Sequence, residues 1–145
     1  MAKSEALMDC AAMSRMIYIT LPTKDLQRAR TFYTALGFAE NEKFSGEHGV
    51  GIIISETIQV MLCVESFFAT ISPRELCDTS KFVSALHCLS CASKDEVDEL
   101  VRKAVGAGGS TFEEAEDHGF MYQHSFLDPD GNGWALMHVP EAEAG

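Results

Sequence analysis

An internal duplication constrains this chain more than any other feature. The stretch "LPTKDLQ" can be laid over "CASKDEV", with Lys24-Asp25 on Lys94-Asp95. Further on, "IQVMLCV" lies over "WALMHV", with Gln59 on Ala135 and Met61 on Met137. Each half reads as strand, helix, then two or three strands. One half alone would leave a face of its sheet bare. Two copies packed or paired into one larger curved sheet would cover it, so the repeat predicts an α+β chain built as one domain.

In the first half, "MIYITLP" alternates and is rich in β-formers, which predicts a strand. "KDLQRARTFYTALGF" follows as a helix with Leu26, Ala29, Phe32, Tyr33 and Leu36 on one stripe, and Gly37 stands where a C-cap belongs. "VGIIIS" and "TIQVMLCV" are two strands parted by Ser55-Glu56. "SFFATISPRELCDTSK" is a connector, helical in part and interrupted by Pro73. In the second half "ALHCLSCA" is a strand and "SKDEVDELVRKAVGAGG" a helix. Val97, Leu100, Val101 and Ala104 form its stripe, Ser93 and Glu96 have capping-box spacing, and Gly106 or Gly108 ends it. "GFMYQHSFLD" and "GWALMHV" are strands joined through Asp-Pro-Asp-Gly-Asn-Gly. The division is a tail at 1–15, one domain at 16–139 and an acidic tail at 140–145. Inside the domain, module one spans about 16–65, the connector 66–84 and module two about 85–139.

With 145 residues, 46% of them hydrophobic, the chain can bury one ordinary core. No apolar run approaches the roughly 20 residues that cross a bilayer. "MAKSEALMDCAAMSR" is a poor signal peptide and predicts a frayed tail or short helix. A net charge of −11 argues against nucleic acid and anionic membrane as partners, and would favour a cationic ligand. Five cysteines, odd in number and not spaced as a disulfide framework, predict a reduced, cytoplasmic protein. The spacing Cys88-x-x-Cys91 would place its two thiols on opposite faces of a strand, and no second pair exists to complete a zinc site.

The motifs "LPTKDLQRARTFYTALGF" and "FLDPDGNGW", with the repeat between them, resemble the vicinal oxygen chelate superfamily of glyoxalase I, bleomycin-resistance proteins and extradiol dioxygenases. The stretch "EDHGFMYQHSFLDPDGNGWALM" is most similar to small bacterial lactoylglutathione lyase-like proteins. The resemblance covers residues 16–139. It implies paired βαβββ modules forming an incomplete barrel around a cup, commonly within a homodimer. It also implies, in metal-dependent members, a ligand on the first and last strand of each module. The matching positions here are Tyr18, Gln59, Leu86 or Cys88, and Ala135. A protonated phenol, a neutral amide, a leucine or lone thiol, and a methyl group make a poor set for a divalent ion. No cofactor is therefore expected; zinc or nickel is the alternative, with lyase or isomerase chemistry of the glyoxalase I type.

Two sets of residues remain as candidates. Tyr18, Thr20, Gln59, Met61, Cys88, Ser90, Ala135 and Met137 project to one side if the strand phases hold. That surface is uncharged and suits a small organic ligand held by apolar contact and a few hydrogen bonds. His118, Tyr122 and His124 are the candidate acid/base residues, with Tyr122 and His124 on one strand face and His118 in the loop before it. His87 is expected to pack beside a helix and His48 to sit in a turn. "FEEAED" (112–117) reads as a solvated acidic loop.

Overall fold

The computed structural model describes residues 15–140. The acidic segment after Pro140 and all but the last residue of the N-terminal tail lie outside the described residues. Module one contains β1 (Ile17–Thr23), α1 (Leu26–Ala35), β2 (Ala39–Asn41), a 3-10 turn (Glu42–Phe44), β3 (Gly49–Ile53) and β4 (Ile58–Val64). A short helix α2 (Glu65–Ile71) opens the connector, the helical part expected there. Module two repeats the plan with β5 (Leu86–Ser90), α3 (Lys94–Gly106), β6 (Glu116–Asp117), β7 (Tyr122–Leu127) and β8 (Gly133–His138). No helix among these residues is long and apolar enough to cross a membrane.

Each module makes its own four-stranded mixed sheet, in the orders β1-β4-β3-β2 and β5-β8-β7-β6. The first and last strands of each module pair in parallel, and the remaining neighbours are antiparallel. The crossover helix between each parallel pair satisfies the connection that a parallel pairing needs. Of the two arrangements the repeat allowed, the modules are packed and not hydrogen-bonded into one sheet, and both sheets stay open. The edge strands β2 and β6 are three and two residues long, too short for alternation to betray them.

Helix boundaries follow local chemistry. Asp25 caps α1 by accepting from the Arg28 N–H at 3.0 Å, and Gly37, with φ at 102°, carries the chain out of the helix. Ser93 caps α3 through the Glu96 N–H at 3.1 Å, while the Glu96 carboxylate reaches back to the Ala92 N–H at 3.3 Å. Gly108, not Gly106, is the left-handed residue after α3, with φ at 105°.

The predicted stripes of α1 and α3 meet in one core. Ala29, Phe32, Tyr33 and Leu36 join Val97, Val101 and Ala104, with Leu21, Val60 and Leu62 from one sheet and Phe126, Trp134 and Leu136 from the other. Phe32 of α1 lies 5.9 Å from Phe126 of β7, and Tyr33 lies 6.2 Å from Trp134 of β8. The modules therefore pack helix side to helix side, and burying each of these large side chains is worth about 1.5–3 kcal/mol.

A polar clamp completes the junction. The Asp130 carboxylate accepts from Thr23 Oγ1 (2.6 Å), the Lys24 N–H (3.0 Å) and Arg28 Nη2 (2.9 Å), all at the start of α1. Beneath it Asp128, 3% exposed, accepts from Tyr33 Oη (2.6 Å), the N–H groups of Asp130 (3.0 Å) and Asn132 (2.8 Å), and Asn132 Nδ2 (2.9 Å). Tyr33 Oη in turn accepts from Trp134 Nε1 at 3.0 Å. The Asp-Pro-Asp-Gly-Asn-Gly segment is thus more than a turn between strands: it fastens module two onto the first helix of module one.

Candidate functional site

Strand register places the matched positions side by side. Tyr18 pairs with Gln59 and Thr20 with Met61 across β1 and β4; Cys88 pairs with Ala135 and Ser90 with Met137 across β5 and β8. Because Gln59 corresponds to Ala135, the first-strand counterpart of Tyr18 is Cys88, and Leu86 is excluded by facing Gly133 instead. All eight expected ligand-contacting residues lie on the sheet faces opposite the helices, four on each sheet. Their exposure differs: Tyr18 is 49% exposed and Cys88 and Ser90 are exposed, Thr20, Met61, Ala135 and Met137 are half-buried, and Gln59 is buried.

The four positions that the resemblance assigns to metal ligands do not fit a divalent ion. The Gln59 Oε1, the one oxygen donor of use in module one, is engaged by Asn41 Nδ2 at 3.1 Å. Tyr18 offers a phenol, packed edge-on to Phe44 at 6.1 Å, and Ala135 offers nothing. Among the described residues, no three His, Cys, Asp or Glu side chains converge on a point that could hold a metal.

The acid/base candidates are not brought together. Tyr122 turns to α3 and donates to Asp98 Oδ1 at 2.6 Å; that bond, with partial burial and the nearby acids, pushes its phenol up to about 12. His118 sits at the β6–β7 hairpin, where Nε2 is 3.0 Å from Glu116 Oε2. His124 bonds the Glu113 carbonyl through Nε2 at 2.9 Å. A shared face for Tyr122 and His124 does not make a pair, because each ring is taken by a different neighbour. His87 packs 4.8 Å from Trp134, and burial lowers its pKa against the opposing pull of the Asp128 charge. His48 stacks on Phe67 at 5.6 Å.

Module two carries a cleft of about 300 Å³, within the range of small-molecule sites. Leu86, Cys88, Ala135, Met137, Gln123 and Ser125 of three adjacent strands form its floor, Phe112 and Glu113 close one side, and Leu136 and the acid/base candidate His124 also line it. Three of the eight expected residues, Cys88, Ala135 and Met137, therefore line it; Ser90 and the four from module one lie outside it. Phe112 and Glu113 are the residues the sequence reading passed over as a solvated loop. They arrive because Ser110 bridges Leu127 and Thr111 Oγ1 donates to the Ser125 carbonyl at 2.8 Å, which lays the loop along β7. Only an aromatic residue beside an acid, Phe112-Glu113, could have hinted at this.

The cysteines divide by exposure. Cys88 lines the cleft from β5 and Cys91, one residue past that strand, joins the core, on the opposite sides that the spacing predicts. Burial, reinforced by Glu96, pushes the Cys91 thiol up to about 12, and burial also raises Cys63. Since the thiolate is the reactive form, a maleimide at neutral pH is expected to modify Cys77 and Cys88 and to spare Cys63 and Cys91 until denaturant is added. Peptide mapping by mass spectrometry checks this.

Comparison with known proteins places this geometry among relatives. The family model for the Glyoxalase/Bleomycin resistance protein/Dioxygenase superfamily matches residues 15–136. The structure is similar to that of a hypothetical protein from S. aureus, with 28% identity, a TM-score of 0.74, and coverage of 85% of this chain and 92% of that one. It is also similar to a glyoxalase/bleomycin resistance protein/dioxygenase family enzyme from Burkholderia phytofirmans PsJN, at 20% identity and TM-score 0.74, covering 88% of this chain and 100% of that one. A glyoxalase-related enzyme from Fulvimarina pelagi matches at 19% identity and TM-score 0.73, over 87% and 88% of the two chains. No curated protein matches the sequence.

Proposed function

Because the chain belongs to the Glyoxalase/Bleomycin resistance protein/Dioxygenase superfamily, we propose that it binds a small organic molecule without a metal, in the cleft of module two. The observation that carries this reading is the pairing of a ligand-sized, largely apolar cleft with first- and last-strand positions that supply no set of metal donors. What this chain's residues would do is enclose: Leu86, Ala135 and Met137 give apolar contact, and Gln123, whose Nε2 is held by Glu116, offers its Oε1 as a hydrogen-bond acceptor.

The cup is completed, on this reading, by a second copy of the chain. Two features support a homodimer. The module-one face with Tyr18, Thr20 and Met61 is left outward by the helix-to-helix packing, and β1 and β5 each have one unpaired edge. Sedimentation should give twice the 15.9 kDa chain mass. The free cysteines fit residence in the cytoplasm.

Titration calorimetry with apolar amines, alcohols and acids tests binding, and occupancy of the cleft should slow maleimide labelling of Cys88 without slowing that of Cys77. Elemental analysis of the purified protein tests metal independence. The rival reading, a lactoylglutathione lyase-like enzyme, predicts stoichiometric zinc or nickel and chelator-sensitive hemithioacetal isomerisation. Finding both would displace the present proposal.

A further inference from the structure

Among the described residues Glu113 is the one carboxylate lining the cleft, His124 is the one imidazole, its Nε2 held on the Glu113 carbonyl, and no lysine or arginine lines it. The position of Glu113 is built. Ser125 Oγ donates to Glu113 Oε1 at 2.5 Å, His124 Nε2 bonds its carbonyl at 2.9 Å, and Thr111 Oγ1 ties the same loop to the β7 backbone. One carboxylate oxygen is thereby held in place and the other, Oε2, is left to meet a ligand. Beside it Phe112, 64% exposed, stands at the rim with its ring available. The other acid near this edge, Glu116, is already engaged by Gln123 Nε2 at 3.2 Å and by His118.

Resting on the reading of this cleft as the ligand site, we propose that Glu113 makes it selective for organic cations: a protonated amine or quaternary ammonium group carried on an aromatic or apolar body. The body would lie on Leu86, Ala135 and Met137, the charge would face Glu113, and the Phe112 ring would add a cation–π contact. A carboxylate fixed at the edge of an apolar-walled cleft attracts a cation and repels an anion, and because Glu113 is itself exposed, added salt should weaken that preference. The net charge of −11 steers in the same direction at longer range.

A matched trio sharing one aromatic body separates the charge effect from binding itself: naphthylmethylamine, naphthylmethanol and naphthylacetate, each titrated calorimetrically into the full chain. The amine should bind about tenfold or more tighter than the acetate, with the alcohol between them. Glu113→Gln should abolish that preference, bringing the amine and the acetate to similar affinities, with unaltered circular dichroism. Glu114→Gln, which removes an equal charge from the neighbouring position outside the cleft, should retain it. Equal binding of amine and acetate to the wild-type chain, or a preference that survives in E113Q, overturns the assignment of charge selectivity while alcohol binding keeps the cleft reading intact. If none of the three binds, both readings fall.

Discussion

Asp128→Ala is expected to destabilise the protein by about 4 kcal/mol, a large share of the roughly 5–15 kcal/mol by which a domain of this kind is stable. Four donors converge on that carboxylate, and three of them, Tyr33 Oη, Asn132 Nδ2 and the Asn132 N–H, come from groups sealed inside the junction. Alanine would leave them without partners in a space water cannot readily enter. The loss is expected as a fall in Tm of about 10 °C, measured by calorimetry. Asp128→Asn, which keeps one acceptor oxygen, should lose about half as much. An alanine variant as stable as the wild type would show that the clamp contributes nothing.

The same pair sets a pH dependence. Burial, with the Asp128 charge adding to it, raises the Tyr33 phenol well above 10.0, so the unfolded chain releases that proton before the folded one does. The contribution of Tyr33 to stability is complete below pH 10 and is lost as the pH rises above it. Tyr33→Phe should flatten the alkaline limb of the stability curve while lowering stability at neutral pH.

Gly109→Ala is the second large effect, expected at about 3 kcal/mol. A methyl group there would stand 2.4 Å from the Leu127 carbonyl oxygen, 2.8 Å from Phe32 Cε2 and 3.0 Å from the Ala104 carbonyl oxygen. Two of those atoms are backbone and the third belongs to a ring locked in the core, so none can give way cheaply. Gly109 also donates to the Ala104 carbonyl at 2.8 Å and leads directly into the Ser110–Leu127 bridge. Loss of that bridge would release the loop that carries Phe112 and Glu113. The variant should therefore lose ligand binding along with denaturant resistance, a coupling that chemical denaturation and titration calorimetry on one preparation would reveal. Gly106→Ala, with nothing near its added methyl, is the control.

How much of this was legible from residues alone varies with distance along the chain. The duplication, the two helix stripes, the Asp128–Trp134 segment as a junction between strands, and the opposed thiols of Cys88 and Cys91 were all readable. Each depends on periods of 2 or 3.6 residues or on local caps, and those are properties of neighbouring residues. The family followed from the same local motifs.

What only the tertiary structure decided involves residues far apart in sequence. Asp130 meets Thr23 across 107 positions, and Tyr33 meets Asp128 across 95. Such meetings depend on how the two modules dock, and no local period encodes that. Tyr122 and His124 shared a face as parity required, yet α3 brought Asp98 to one and the 111–115 loop came to the other. The cleft itself changed character for the same reason. Parity alone described an uncharged wall of eight residues; docking helix side to helix side divided it between two sheets, and a loop anchored along β7 added a carboxylate to one of them. The sequence determined which faces of the strands are apolar or polar. Which faces meet, and which charge stands beside them, was decided by packing.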